Sequence, residues 1–364
     1  MALLPSFRRV RPVVGLDIGS SAVKAVELRP SGKGWKVSGW GVEPVPADSI
    51  VDGAIIDGTA VADAIRRLFD GRRGISPRGK QVAASLSGNA VIVKKITVPA
   101  MTEAELADSI VWEAEQYIPF DIQDVNLDYQ VLTPAADVGP KGTIDVLLVA
   151  AKKEKIVDYT GVITQAGRQP VIVDIDAFAL QNAYEANYGF TDGEVVALIN
   201  AGASATNINI VLGDQSVFTR DVSIGGNAYT EALQKELNLP HEAADALKRG
   251  DLSADTGGLT YDDARPVLRA VSDTVLLEIQ KTFDFYKATA TSDRIDRIVV
   301  SGGASRAEGF MELLGERFGA PIEPFDPFRR VKFDAGKFGV TDIDAVAATA
   351  AVAVGLALRR VGDR

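Results

Sequence analysis

An apolar strand that runs into a glycine–hydroxyl turn and out into a second apolar run occurs twice in this chain. The first copy is VVGLDIGSSAVKAVEL, residues 13–28, and the second is VVALINAGASATNINIV, residues 195–211. With Asp17 set against Asn200, Gly19 falls on Gly202, Ser21 on Ser204, Ala22 on Ala205 and Val23 on Thr206. In the first copy Lys24, Val26 and Leu28 alternate with Val23, Ala25 and Glu27, the pattern of a second strand. A repeat of this length is not a stacked solenoid. It reads as one α/β domain duplicated, with its two halves facing each other.

The segments between the copies fit that frame. Residues 59–70 place Val61, Ala64, Ile65 and Leu68 on one helical face, with Thr59 as the expected N-cap. Two β-rich runs within 81–98 precede a helix over Thr102–Gln116, where Thr102 and Glu105 have capping-box spacing and Pro119 is the stop. With strands at 125–133 and 143–150, the block 76–150 reads as a small α+β insertion. A helix over 152–167 and a buried strand, VIVDID at 171–176, complete the first half. The expected division is 1–75 with 151–190, then 191–225 with 296–364, and a helical part at 226–295 capping the cleft.

Composition removes several classes of function. The net charge of −10 argues against general nucleic-acid binding, which needs cations to displace counterions from phosphates. No cysteine is present, so disulfides and thiolate metal sites are impossible, and the single histidine, His241, rules out multi-histidine metal sites. The longest apolar run, Ala345–Leu358, is too short to span a bilayer. Its small side chains predict a helix packed closely inside the protein.

Each glycine turn has the parts of an anion cradle. Glycine lets the backbone approach closely, successive N–H groups form a nest, and a hydroxyl adds a donor. Asp17, Gly19, Ser20, Ser21 and Lys24 make up the first turn; Asn200, Gly202, Ala203, Ser204 and Thr206 make up the second. Asp17 is placed to hold Mg²⁺ through water. Such turns are common singly; their repetition is what suggests phosphates clamped from two sides. A third turn, Ser301-Gly302-Gly303-Ala304-Ser305-Arg306, follows a buried strand and offers a flat surface for a base or ribose, with Arg306 beside it. Gly225 and Gly226 open a helix bearing Glu231 and Lys235, read either as an i,i+4 ion pair or as a ribose or base contact.

LDIGSSAVKAVEL resembles the first phosphate motif of actin-like ATPases, INAGASATNINIV the second, and IVVSGGASRAEGF the adenosine motif. Their order and wide spacing match across almost the whole chain. The run VPAMTEAELADSIVWEAEQYIPFDIQDVNLDYQVL is similar to that of the PilM family, in which a helix ends in Trp-Glu-Ala-Glu and Tyr-Ile-Pro-Phe follows. The block 76–150 sits where FtsA and PilM carry their small subdomain.

The resemblance implies duplicated actin-like (ribonuclease H-like) α/β domains around a nucleotide cleft, with an FtsA/PilM-type α+β insertion. It implies ATP and Mg²⁺ as cofactors, with the residues of the first two turns on the phosphates and Gly302, Gly303 and Arg306 on adenosine. It also implies a cytoplasmic scaffold of the type IV pilus inner-membrane assembly complex. That scaffold grips the N-terminal peptide of PilN in a groove where Ile118, Pro119 and Phe120 are candidate wall residues. The second motif of the family opens with Asp, and Asn200 departs from it, so weak or no hydrolysis is expected and no catalytic group is assigned. An FtsA-like membrane-associated filament, self-association and a small-molecule kinase of the same superfamily stay open as alternatives. The stretch Ala2-Leu3-Leu4-Pro5 resembles the Leu-Leu-Pro core of the PilN peptide, so the terminus is a candidate occupant of the groove.

Overall fold

Two five-stranded sheets of the same topology confirm the duplication. The computed structural model describes residues 13–71, 74–76, 79–132, 142–251, 255–289 and 294–363. The first elements are β1 (Val14–Ile18), β2 (Ala22–Ser31), β3 (Gly34–Pro44), a short hairpin β4 (Ile50–Val51) and β5 (Ala54–Ile55), and α1 (Gly58–Leu68). Next come β6 (Gln81–Leu86), β7 (Val91–Pro99), α2 (Glu103–Glu115), β8 (Val125–Val131), β9 (Thr143–Lys152), α3 (Lys153–Gln165), β10 (Gln169–Ile175) and α4 (Asp176–Asn187). The second half holds β11 (Val195–Ala201), β12 (Thr206–Leu212), β13 (Gln215–Val222), α5 (Gly226–Leu237), α6 (His241–Lys248) and α7 (Tyr261–Thr289). It ends with β14 (Arg297–Ser301), α8 (Phe310–Phe318), β15 (Ile322–Pro324) and α9 (Ile343–Leu358).

The strand orders are β3-β2-β1-β6-β10 and β13-β12-β11-β14-β15. In each sheet the first three strands are antiparallel, and the last two run parallel to the central one. The register is also duplicated: Asp17 lies opposite Lys24 in one sheet, and Asn200 lies opposite Asn207 in the other.

The halves share a core built on α4 and α9. Leu180, Ala183 and Tyr184 of α4 and Ala350, Ala351, Ala353 and Val354 of α9 pack with Val26 and Leu28 from one sheet and Val196 and Leu198 from the other. Small residues allow the helices to approach this closely. A side chain at Gly15 would collide with the Ala353 carbonyl, and one at Gly355 with the Ala179 carbonyl. The expectation of a tightly packed helix at 345–358 holds: Ala350–Ala357 are buried throughout.

Three local expectations change. Asp57, not Thr59, caps α1, its carboxylate accepting from the Ala60 amide at 2.9 Å. The run 81–86, placed by sequence inside the inserted block, forms β6 and pairs parallel with β1, because its buried Val82, Ala83 and Ala84 belong to the main core. A single 3-10 turn over Gly303–Arg306 intervenes before α8, whose start moves from about Ser305 to Phe310.

The three strands β7-β9-β8 and α2 form a separate layer with its own core, which includes Ile96, Val98, Leu106, Ile110, Ile118, Val146 and Leu148. The Thr102–Glu105 capping box is present in full at the start of α2. This layer also reaches the second half, where the Gln215 amide donates to the Leu132 carbonyl at 3.2 Å. The Ala2–Pro5 stretch lies outside the described residues.

Candidate functional site

The two glycine turns close in the same way and face each other. In the first, the Gly19 amide donates to the Ala22 carbonyl at 3.1 Å; in the second, the Gly202 amide donates to the Ala205 carbonyl at 2.9 Å. Across the gap the Ser20 hydroxyl donates to the Ser204 hydroxyl at 3.0 Å. A side-chain carbon on Gly19 would crowd the Ala22 carbonyl at 3.2 Å and the Lys24 ammonium at 3.4 Å. Ser21 is exposed at the tip of its turn, and Gly202, Ala203 and Ser204 are half-buried in theirs.

The same strand positions carry different chemistry in the two halves. On β1 and β2 the pair is ionic: Lys24 Nζ donates to Asp17 Oδ2 at 2.9 Å, with about 15% of each side chain exposed. On β11 and β12 it is neutral, with Asn200 Nδ2 donating to Asn207 Oδ1 at 3.0 Å. Ser301 donates to the Ile199 carbonyl at 3.1 Å and to Asn200 Oδ1 at 3.3 Å, so both ends of the Asn200 amide are engaged.

Other residues singled out from sequence have structural duties. Thr206 is fully buried, and its hydroxyl donates to the Ile224 carbonyl at 2.8 Å rather than facing the gap. Gly225 and Gly226 bring the start of α5 onto the second turn, where the Gly226 amide donates to Gly202 O at 2.9 Å and the Asn227 amide to Ala203 O at 2.7 Å. Glu231 and Lys235 are exposed on α5, and no ion pair joins them. Gly302 has φ +92°, and any side chain there would strike the Ala201 backbone. Gly303 has space, with only Thr349 Cγ2 within reach of an added carbon at 3.7 Å. Arg306 reaches Asp342, the N-cap of α9, at 2.9 Å, and is half-exposed.

In the inserted layer Ile118 is buried in the core, Pro119 is exposed, and Phe120 is half-buried with Lys152 Nζ 4.3 Å above its ring.

Asp176, Lys155 and Asp221 were not picked out from sequence. Asp176 begins α4 and accepts hydrogen bonds from Ser85 and Ser87. Burial, and then the nearby Asp17 charge, push its pKa up to about 6 against the opposing pull of those hydroxyls. Lys155 is buried beside Asp176 and Asp221 and donates to the Ser87 carbonyl; burial holds its pKa below the ordinary lysine value, against the opposing pull of the two acids. The signal for Asp176 was its place at the carboxyl end of a strand parallel to β6, the edge where open α/β sheets bind ligands.

The site thus offers two amide-and-hydroxyl turns, the Lys24 and Lys155 ammoniums, and the carboxylates of Asp17, Asp176 and Asp221. Among the described residues no three acidic or histidine side chains gather closely enough to hold a metal by themselves. This arrangement fits Mg²⁺, which keeps several waters and shares one or two carboxylates with phosphate oxygens.

The sequence profile of the family described as "Type IV pilus assembly protein PilM" matches residues 15–361. A solved structure, a PilM–PilN type IV pilus biogenesis complex, contains a chain 31% identical to this one. It covers 97% of this chain and 100% of that one, with a TM-score of 0.82. The cell division protein FtsA of Streptococcus pneumoniae serotype 2 (strain D39) is 25% identical over 86% of this chain and 75% of its own length. The structure of MreB5 of Spiroplasma citri bound to AMPPNP shares the fold at 15% identity and a TM-score of 0.50, covering 95% of each chain.

Proposed function

The chain belongs to the PilM family of type IV pilus assembly proteins, and from that membership we propose that it is an ATP-binding scaffold of the inner-membrane assembly complex that holds the N-terminal peptide of PilN. The observation that carries this reading is the contact between Ser20 and Ser204, which brings two equivalent anion cradles to one seam. A triphosphate there would meet backbone amides and hydroxyls from both halves and the Lys24 ammonium. Asp17 would hold Mg²⁺ through water, and the ion would neutralise phosphate charge. MreB5, which shares this fold, is bound to AMPPNP, and that supports a nucleotide ligand here. Adenosine would lie over the open backbone at Gly303.

The site favours binding over turnover. Asn200 is uncharged and tied to Ser301 and Asn207, so it would hold a cation less well than an aspartate and cannot act as a base. Asp176, at the start of α4 near Asp17, is the carboxylate that would assist water, and turnover through it would be slow because Asn200 gives the metal no second charged ligand.

The PilN partner of the 31% identical chain supports the same partner here. The peptide would lie between the inserted layer and the first half, near Pro119 and Phe120. Among the described residues no helix is long and apolar enough to cross a membrane, so recruitment to the membrane would run through PilN. The test is calorimetric titration with Mg·ATP, followed by capture on an immobilised PilN N-terminal peptide with and without nucleotide. Saturable binding of both ligands is expected. Absence of nucleotide binding would remove the cleft assignment, and absence of peptide capture would remove the scaffold role.

A further inference from the structure

One row of polar side chains crosses the second sheet at a single level. Ser301 on β14 lies opposite Asn200 on β11, Asn200 opposite Asn207 on β12, and Asn207 opposite Asp221 on β13. Every donor in the row points the same way. Ser301 Oγ donates to Asn200 Oδ1 at 3.3 Å, Asn200 Nδ2 to Asn207 Oδ1 at 3.0 Å, and Asn207 Nδ2 to Asp221 Oδ1 at 2.8 Å. The other oxygen of Asp221 leaves the sheet and accepts the backbone amide of Gly88. Gly88 lies in the connection between β6 and β7, where the inserted layer departs from the first half, and its φ is +82°. Lys155, beside Asp221, donates to the carbonyl of the preceding residue, Ser87.

We propose that Asp221 is a positioning residue that couples the occupant of the glycine turns to the stance of the inserted layer. Ser301 opens the third turn and Asn200 opens the second. A ligand that shifts either turn therefore shifts the row, and the row ends on the hinge of the layer that would hold the peptide. The first half has no counterpart. Its cross-strand pair Asp17–Lys24 stops at β2, because the residue facing Lys24 on β3 is Val42, which has no polar group. A row of donors aligned head to tail and ending on an anion strengthens each link and resists reversal. It behaves as a unit rather than as independent contacts. Coupling of two sites requires a physical element that both bias, and the Asp221–Gly88 contact is that element here.

This inference rests on the proposed nucleotide and peptide sites, and the test separates the two. The affinity of a labelled PilN N-terminal peptide is measured with and without Mg·AMPPNP, in the wild-type chain, in Asp221→Asn and in the swap Asn207→Asp/Asp221→Asn. An asparagine at 221 turns a donor toward Asn207 or toward the Gly88 amide, and one link breaks. The swap restores every link: the new aspartate accepts from both neighbouring amides, and the new asparagine accepts from Gly88. Wild type should show a nucleotide effect on peptide affinity of about fivefold or more, the usual scale of coupled sites. Asp221→Asn should bring that ratio within about twofold of unity while still binding AMPPNP, and the swap should recover it.

Hydrogen exchange at the Gly88 amide gives a second reading. Nucleotide should slow it in wild type and in the swap, but not in Asp221→Asn. If wild type binds no nucleotide, the functional reading fails and the coupling falls with it. If nucleotide binds but Asp221→Asn keeps the wild-type ratio, or the swap does not recover it, the coupling role alone is overturned.

Discussion

Ser20 and Ser204, one from each copy of the repeated turn, meet hydroxyl to hydroxyl at 3.0 Å. The contact joins the two halves at the seam where a triphosphate would lie, so a bound phosphate would insert between the hydroxyls and replace it. A Ser20→Ala/Ser204→Ala double-mutant cycle should therefore show a coupling of about 0.5–1 kcal/mol in the stability of the ligand-free protein. That coupling should vanish in saturating Mg·ATP. Each single variant should weaken ATP by roughly 3–10-fold through loss of one hydrogen bond. Calorimetric titration and thermal melts read both quantities, and equal coupling with and without ATP would remove the proposed insertion.

Asn200→Asp would restore the charge that the family's second motif carries. The cost is local, because the new carboxylate can no longer donate to Asn207 Oδ1, which accepts at 3.0 Å in the native row. Stability should fall by about 1–3 kcal/mol, the range for a buried polar group left facing the wrong partner. The ATP affinity of the variant should also depend more steeply on Mg²⁺, since a second carboxylate favours the metal. Magnesium titrations at fixed ATP would expose an unchanged slope, which would mean that residue 200 does not sense the ion.

The duplication was legible in sequence because it was written in backbone chemistry. A buried strand needs an apolar run and a tight turn needs glycine, so Asp17–Gly19 and Asn200–Gly202 declare themselves wherever they sit. Long-range relationships were not legible in the same way. β6 reads as part of the inserted block because a short run such as QVAASL looks the same in either sheet, and only its pairing with β1 decides. Asp176 is not legible because its raised pKa comes from burial and then from the charge of Asp17, against the pull of the Ser85 and Ser87 hydroxyls, and all of these arise from residues remote in sequence. Thr206 looked like a free hydroxyl in the second turn, but strand register turns it inward toward the Ile224 carbonyl.

Asp176 gives the ligand-free protein a defined pH response. Its pKa is raised to about 6 in the folded chain, above the ordinary carboxylate value near 4. Between those values the folded state binds a proton that the unfolded state lacks, so this group's contribution falls as pH rises through the window. Above about pH 6 the penalty is constant. Asp176→Asn should remove it, raising stability at pH 7.5 by about 1–3 kcal/mol, with the gain shrinking as pH drops from 6 toward 4. Denaturant melts of both proteins at matched pH test this. A gain independent of pH would show that Asp176 is not the titrating group.

Adjacent glycines at the start of α5 should respond in opposite ways. Gly225 has φ −163°, extended backbone open to any residue, so its demand is purely steric. An added methyl would meet the Gly202 and Ala203 carbonyls inside ordinary contact distance, and both belong to the second turn. Gly226 would place the same methyl 3.6 Å from the Gly202 carbonyl and 3.7 Å from Ala304 Cβ, which is normal packing. Gly225→Ala should therefore push α5 off the turn, costing about 1–3 kcal/mol as overpacking does and weakening ATP in parallel. Gly226→Ala should be neutral or stabilising by up to about 1 kcal/mol, because alanine suits a helix better than glycine. Thermal melts together with ATP titrations of both variants decide the matter. Equal responses would mean that α5 does not set the shape of the second turn.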